Sequence, residues 1–283
     1  MAYQHIDNLY KNQDILQFKE CYALEKIHGT SAHITYNKGV VKFFAGGGNH
    51  ESFMGLFDIT LINKFEAMCL EDTCIVYGES YGGKHQGMSA TYGKEPKFIV
   101  FEVKIGDCWL NVPKAEAVAK DLGLEFVHYK RIPCDIEAID AERDTDSVQA
   151  VRNGIVDPKM REGIVLRPIE EYTKNNGTRI IAKHKRPEFS ETKTPREVSP
   201  EALQKLEDAR RIAEEWVTHQ RLNHITSKIG MEITVENIGK IIPLMAEDIK
   251  REAEGEIIVS ADAMKQIGAA TALLIKRTAG AMK

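Results

Sequence analysis

Glu25-Lys26-Ile27-His28-Gly29-Thr30-Ser31 sets a lysine just before a tight turn, with a carboxylate on one side and an imidazole on the other. An ordinary lysine is a protonated, solvated point charge, so a nucleophilic one needs surroundings that disfavour the ammonium. Burial near other cations does that and leaves a neutral amine able to attack phosphorus or a carbonyl carbon. Gly29 lets a bulky ligand approach the backbone, and Thr30 offers a hydroxyl to a phosphate or ribose. The same window also fits a plain strand end, and alone it leaves both readings open.

The flanking sequence reads as short strands at residues 21–26, 32–36 and 40–45, with a hairpin turn at Asn37-Lys38-Gly39. Before them, residues 1–20 read as a helix or arm. After the Gly46-Gly47-Gly48-Asn49 loop, apolar spacing at Phe53, Phe57, Leu61 and Phe65 predicts a helix over 51–68. Strands follow at 73–78 and 97–105. Pro113 and Gly123 bracket a helix over 113–122. A strand at 124–129, a helix at 144–152 and strands at 163–167 and 178–185 complete a mixed α+β body. Pro187, Pro195 and Pro200 then punctuate a linker. Beyond it, helices are predicted from Ser199-Pro200-Glu201 to about Lys228, over 234–253 with Pro243 kinking it, and over 260–279. The expectation is two domains, 1–194 and 195–283, the second all-helical.

Apolar residues make up 43% of the chain, ordinary for a globular protein, and no apolar run reaches membrane-spanning length. The first residues lack a signal pattern, so a cytoplasmic location is expected. Cys21, Cys69, Cys74, Cys108 and Cys134 are an odd, scattered set, which suits reduced thiols rather than a disulfide frame or zinc site. Net charge is −4, but Lys174 to Arg196 carries an excess of five positive charges, while the chain from Glu197 onward sums to −2. A phosphate-bearing partner is therefore drawn to the middle of the sequence, where a solvated charged loop is the competing reading.

Other windows carry chemistry-bearing residues. In Arg161-Glu162-Gly163-Ile164-Val165-Leu166-Arg167, alternation sends Glu162 to the opposite face from Arg161 and Gly163, either into a cleft or into water. In Ile181-Ala182-Lys183-His184-Lys185 the two lysines share a face, which is costly unless an anion sits between them; a solvated edge is the alternative. Such a pair supplies the field that disfavours an ammonium at Lys26 and binds phosphate oxygens. Phe101 suits stacking on a purine or a place in the core. Glu79, after a strand and among glycines, is placed to hydrogen-bond a ribose. One rival motif, Gly78-Glu79-Ser80-Tyr81-Gly82-Gly83-Lys84-His85, matches a phosphate-cradling G-x-x-x-x-G-K. His85 stands where that motif needs Ser or Thr, and the residues that follow make a poor helix.

Together and in this order, the windows from Glu25 to Phe189 resemble the covalent nucleotidyltransferase superfamily, and within it the ATP-dependent RNA ligases of the nick-sealing type. The resemblance implies a mixed antiparallel-sheet nucleotidyltransferase domain, ATP-grasp-like, followed by the small helical domain. It implies that Lys26 takes AMP from ATP as a phosphoramidate. Glu25 would read the adenine edge, Phe101 stack on its face and Glu79 hold the ribose. His28, with Gly29 and Thr30, would position phosphate; Lys183 and Lys185 would contact the α-phosphate, and Glu162 would help bind the metal. The implied cofactors are ATP and Mg2+ or Mn2+, and the implied partner is RNA with 5′-phosphate and 3′-hydroxyl ends, expected as a duplex that the helical domain grips by shape. Ser31 stands where the family tends to have Asn. Lys42 is the nearest cation to an expected arginine, and Glu102 replaces an Asp. DNA ligation, GTP-dependent capping and non-catalytic RNA binding are the rival functions. The first two usually carry an all-β domain after the catalytic one.

Overall fold

In the computed structural model of the protein, residues 3–68, 70–174, 177–189, 200–253, 257 and 259–281 are described. Cys69, the expected helix start at Ser199, the linker proline Pro195 and the expected domain boundary at 194/195 lie outside them. The chain divides into two compact units, Met1–Arg196 and Glu197–Lys283.

The first unit is built on two antiparallel sheets. One is formed by β1 (Glu20–Lys26), β7 (Tyr129–Pro133), β8 (Gly163–Pro168) and β9 (Ala182–Lys185), in the order β7-β1-β8-β9. The other has the order β3-β2-β4-β5-β6, from β2 (Thr30–Asn37), β3 (Val40–Phe44), β4 (Cys74–Gly82), β5 (Pro96–Ile105) and β6 (Cys108–Trp109). Only Ile27, His28 and Gly29 separate β1 from β2, so the chain crosses from one sheet to the other directly after Lys26. Gly29 makes the crossing tight: a Cβ there would lie 2.3 Å from the Ser80 carbonyl oxygen of β4. Gly29→Ala is expected to cost about 1–3 kcal/mol, the usual penalty of overpacking, and a urea titration measures it.

The helices of this unit are short: α1 (His50–Met54), α2 (Ile59–Ala67), α3 (Ser89–Tyr92), α4 (Val112–Asp121), α5 (Ile136–Arg143) and α6 (Val148–Arg152). The helix expected over 51–68 is thus two. Gly55 ends the first, and Asp58 caps the second by accepting from the Thr60 N–H at 2.8 Å. The strand expected at 124–129 is displaced to β7. Residues before it lie against β5, where Val100 N–H donates to the Glu125 carbonyl and Val127 N–H to that of Val100. Helix α5 was not anticipated; Asp135 caps it through the Ala138 N–H. The core between the second sheet and its helices holds Ile34, Phe53, Phe65, Val76, Ile99, Val103 and Ala119.

The second unit contains α7 (Pro200–Trp216), α8 (His219–Lys228), α9 (Ile238–Glu252) and α10 (Ala261–Ala281) around Leu222, Ile241, Met245, Ile249, Ile267 and Ile275. The long helix expected to Lys228 breaks at Val217-Thr218, where Thr218 Oγ1 accepts from the Arg221 N–H and restarts it. Pro243 lies inside α9, and Ser260 caps α10 through the Ala263 N–H. No helix among the described residues is long and apolar enough to cross a membrane.

Candidate active site

Pairing register sets the site. Across the first sheet Lys26 lies opposite Gly163, and Gly163 opposite Lys185; two residues along, Leu24, Val165 and Lys183 form the next row on the same face. Residues directly opposite in antiparallel strands share a face, so Lys26, Lys183 and Lys185 project together. Gly163 is required between them. Its φ is +152°, and a Cβ would come within 2.2 Å of the His184 carbonyl oxygen and 2.7 Å of Lys185 Cα.

Glu162 gathers the cations. Its side chain is 2% exposed, and its oxygens meet Lys26 Nζ at 2.8 Å, Lys185 Nζ at 3.0 Å and His28 Nδ1 at 3.1 Å. Burial opposes ionisation, yet Lys26 and Lys185 more than offset it and hold the carboxyl below its ordinary range. Lys26 therefore shares one buried carboxylate with Lys185. The Phe189 ring flanks His28 at 5.6 Å between centroids.

Beside this cluster, between the two sheets, is a cavity of about 560 Å³ walled by Glu25, Lys26, Glu79, Phe101 and Lys183. Its size suits a nucleotide-sized ligand. Ser31 reaches the wall, whereas Gly29 and Thr30 do not. Phe101 owes its aim to a β-bulge: Tyr77 pairs with Glu102 and Gly78 with Val100, leaving Phe101 as the extra residue. A strand reading by alternation alone gives no sign of that.

Glu79 is set apart from Glu162 by its surroundings. Burial and the charge of Glu162 push its carboxyl up to about 7, against the pull of Lys26 and the Gly29 N–H. Two carboxyls in one site with opposite shifts favour different protonation states near neutrality. Between its ordinary 4.5 and about 7 the folded protein keeps a proton that the unfolded chain has released. Stability therefore declines as pH rises through that window. Glu79→Gln is expected to flatten the decline, read as the urea midpoint against pH with a chelator present.

Glu25 is buried and turned onto helix α6. It accepts from Ser147 Oγ at 2.5 Å and from the Val148 and Gln149 N–H groups at 3.0 and 3.2 Å. Burial pushes its carboxyl up, opposed by Ser147 and by Arg161. A carboxylate has about four acceptor positions, so one of them remains for a ligand.

Tyr3, Arg179 and Trp109, not singled out from sequence, gather around Glu102 beside Phe101. Tyr3 meets Phe101 edge-on at 5.1 Å and donates from its hydroxyl to Glu102 Oε2 at 2.6 Å. Glu102 is fully buried, with Arg179 Nη1 at 2.8 Å and Arg167 Nη2 at 3.1 Å, and Trp109 covers the Arg179 guanidinium at 4.1 Å. Arginines inside apolar strands were the available signal for this cluster.

A divalent cation fits these residues in one way. The described residues contain no group of three or more His, Cys, Asp or Glu side chains able to hold a metal. Mg2+ that arrives on phosphates needs only one or two protein carboxylates, and Glu162 supplies one beside the lysine row.

The family model described as RNA ligase matches residues 19–185, and the one described as T4 RNA ligase 2 C-terminal matches residues 200–276. No curated protein matches the chain. Among solved structures, a Naegleria gruberi RNA ligase lysine-to-alanine mutant with ATP and Mn aligns with a TM-score of 0.53 at 14% identity, covering 67% of this chain and 57% of that one. The same enzyme with PPi aligns at 0.52 and 14%, with the same coverage. A lysine-to-methionine mutant with AMP and Mn aligns at 0.52 and 13%, again over 67% and 57%. The match thus spans little more than half of those ligases, and at this identity it establishes the fold alone.

Proposed function

Because the chain belongs to the RNA ligase family, we propose that it is an ATP-dependent RNA ligase that seals 5′-phosphate to 3′-hydroxyl ends at nicks in duplex RNA. The observation that carries this reading is the convergence of Lys26, Lys185 and His28 on buried Glu162, beside a cavity walled by Phe101, Glu79 and Lys183.

In the first step, Lys26 Nζ, after losing a proton, attacks the α-phosphorus of ATP. An N–P bond forms, the bond to the bridging oxygen breaks, and pyrophosphate leaves with the electron pair. Lys183 and Lys185 stabilise the charge that develops on the α-phosphate. Phe101 stacks on the purine and Glu79 holds the ribose. Glu25 meets the adenine edge through its remaining acceptor position, while His28 positions phosphate at the Gly29-Thr30 turn. In the second step an RNA 5′-phosphate oxygen attacks the AMP phosphorus, and Lys26 leaves as the amine. In the third, a 3′-hydroxyl attacks the RNA 5′-phosphorus, loses its proton and displaces AMP. Mg2+ or Mn2+, held by Glu162, would neutralise the pyrophosphate leaving group.

Residues 1–194 are proposed as the adenylylating domain and 195–283 as the domain that grips the duplex. A cytoplasmic location is part of the same proposal. The test is a sealing assay on nicked duplex RNA, nicked duplex DNA and single strands, each with ATP or GTP. Sealed RNA duplex with ATP is the expected result. Sealing confined to DNA, or nucleotide transfer only with GTP, overturns the reading.

A further inference from the structure

A second cavity, of about 450 Å³, lies behind the same end of β4 and is lined by Lys84, Lys94, His85, Ser80, Asn49 and Ser52, with no acidic residue in its wall. It contains the lysine and histidine of the G-x-x-x-x-G-K window, which the nucleotide site does not use. Gly82 and Gly83, at φ +74° and +55°, turn the chain out of β4. A Cβ on Gly82 would lie 2.4 Å from the Glu95 carbonyl oxygen, so the connection to β5 is pinched here, and Gly83 N–H donates to the Gly93 carbonyl at 3.0 Å. The pinch brings Lys84 and Lys94 to the two sides of one neck. Both are exposed. His85 Nε2 lies 3.3 Å from Ser80 Oγ, which fixes the ring in the wall.

The two cavities lie at the same end of the second sheet, on opposite faces. Gly46 lines the first, while Ala45 and Gly48 line the second; on β4, Glu79 lines the first and Ser80 the second. A polyanion engaged at Lys26 would reach the second cavity by rounding that end of the sheet past the Ala45–Gly48 loop. Two ammonium groups lining one cavity that has no carboxylate in its wall favour an anion there, such as a phosphodiester. The nucleotide's own phosphates are drawn instead to the lysines of the first sheet.

We propose that this second cavity binds backbone phosphate of the RNA strand, through Lys84 and Lys94, next to the end being joined. The proposal rests on the RNA ligase reading. Its test compares wild type with the Lys84→Ala/Lys94→Ala and Lys84→Arg/Lys94→Arg double variants. Binding of nicked duplex RNA is measured over a salt series, and covalent labelling by α-labelled ATP is measured without RNA. The alanine variant is expected to bind RNA with a log–log salt slope smaller by about 1–2, the share of one or two lost phosphate contacts. The arginine variant keeps the wild-type slope, and labelling is unchanged in both. A wild-type slope in the alanine variant overturns the proposal. So does loss of its labelling, which would assign the lysines to ATP. If wild type takes no label yet the slope difference is found, the ligase reading fails and the RNA site stands.

Discussion

Lys26→Ala is expected to abolish covalent labelling of the protein by α-labelled ATP, a loss on the order of 10³-fold or more, because no other group takes over the attack. Lys26→Arg should fail equally, since a guanidinium stays protonated and keeps no free electron pair on nitrogen. The fold should survive either change. Glu162 keeps Lys185 at 3.0 Å and His28 at 3.1 Å, so its buried carboxylate is not left unpaired. Gel autoradiography after denaturation, run beside an unfolding curve for each variant, separates lost chemistry from lost structure. Label retained at the wild-type level in the alanine variant would remove Lys26 from the reaction.

Glu102→Ala is expected to give the largest stability loss, about 3–5 kcal/mol, as breaking a buried ion pair leaves its partners uncompensated. Arg167 and Arg179 are 1% and 3% exposed, and with Glu102 gone they share only Glu171 among the carboxylates that contact them. Tyr3 loses its acceptor in the same change. The carboxyl of Glu102 is opposed by burial but held low by Arg167 and Arg179, so its stabilising contribution is present above the ordinary glutamate range and is lost as pH falls through its own lowered value. Guanidinium unfolding at neutral pH measures the loss, and a change under 1 kcal/mol would show that the cluster contributes specificity instead of stability.

Local signals were legible where they sufficed by themselves. Asn37-Lys38-Gly39 is a tight turn, with Lys38 and Gly39 at φ +46° and +84°, and it fixes the β2–β3 hairpin. Pro113 and Gly123 bracket α4 as their chemistry dictates. The spacing that places Lys183 and Lys185 on one face of β9 is likewise local. Other features depend on partners distant in sequence. The bulge that aims Phe101 arises from how β5 pairs with β4, and Glu25 is turned by a helix 122 residues away at Ser147. The split of α1 from α2 turns on Gly55 and the Asp58 cap, which apolar periodicity overrides when read alone. Glu162 is the clearest case: alternation sends it to the face opposite Gly163, yet it precedes β8, and the register of β1, β8 and β9 brings Lys26 and Lys185, both paired with Gly163, to its carboxylate.

The most direct measurement is mass spectrometry of peptides from protein exposed to ATP and Mg2+ without RNA. An adenylate adduct is expected on the peptide bearing Lys26, joined through nitrogen and therefore released by acid. An unmodified Lys26 peptide, or an adduct on another residue, would contradict the role given to Lys26.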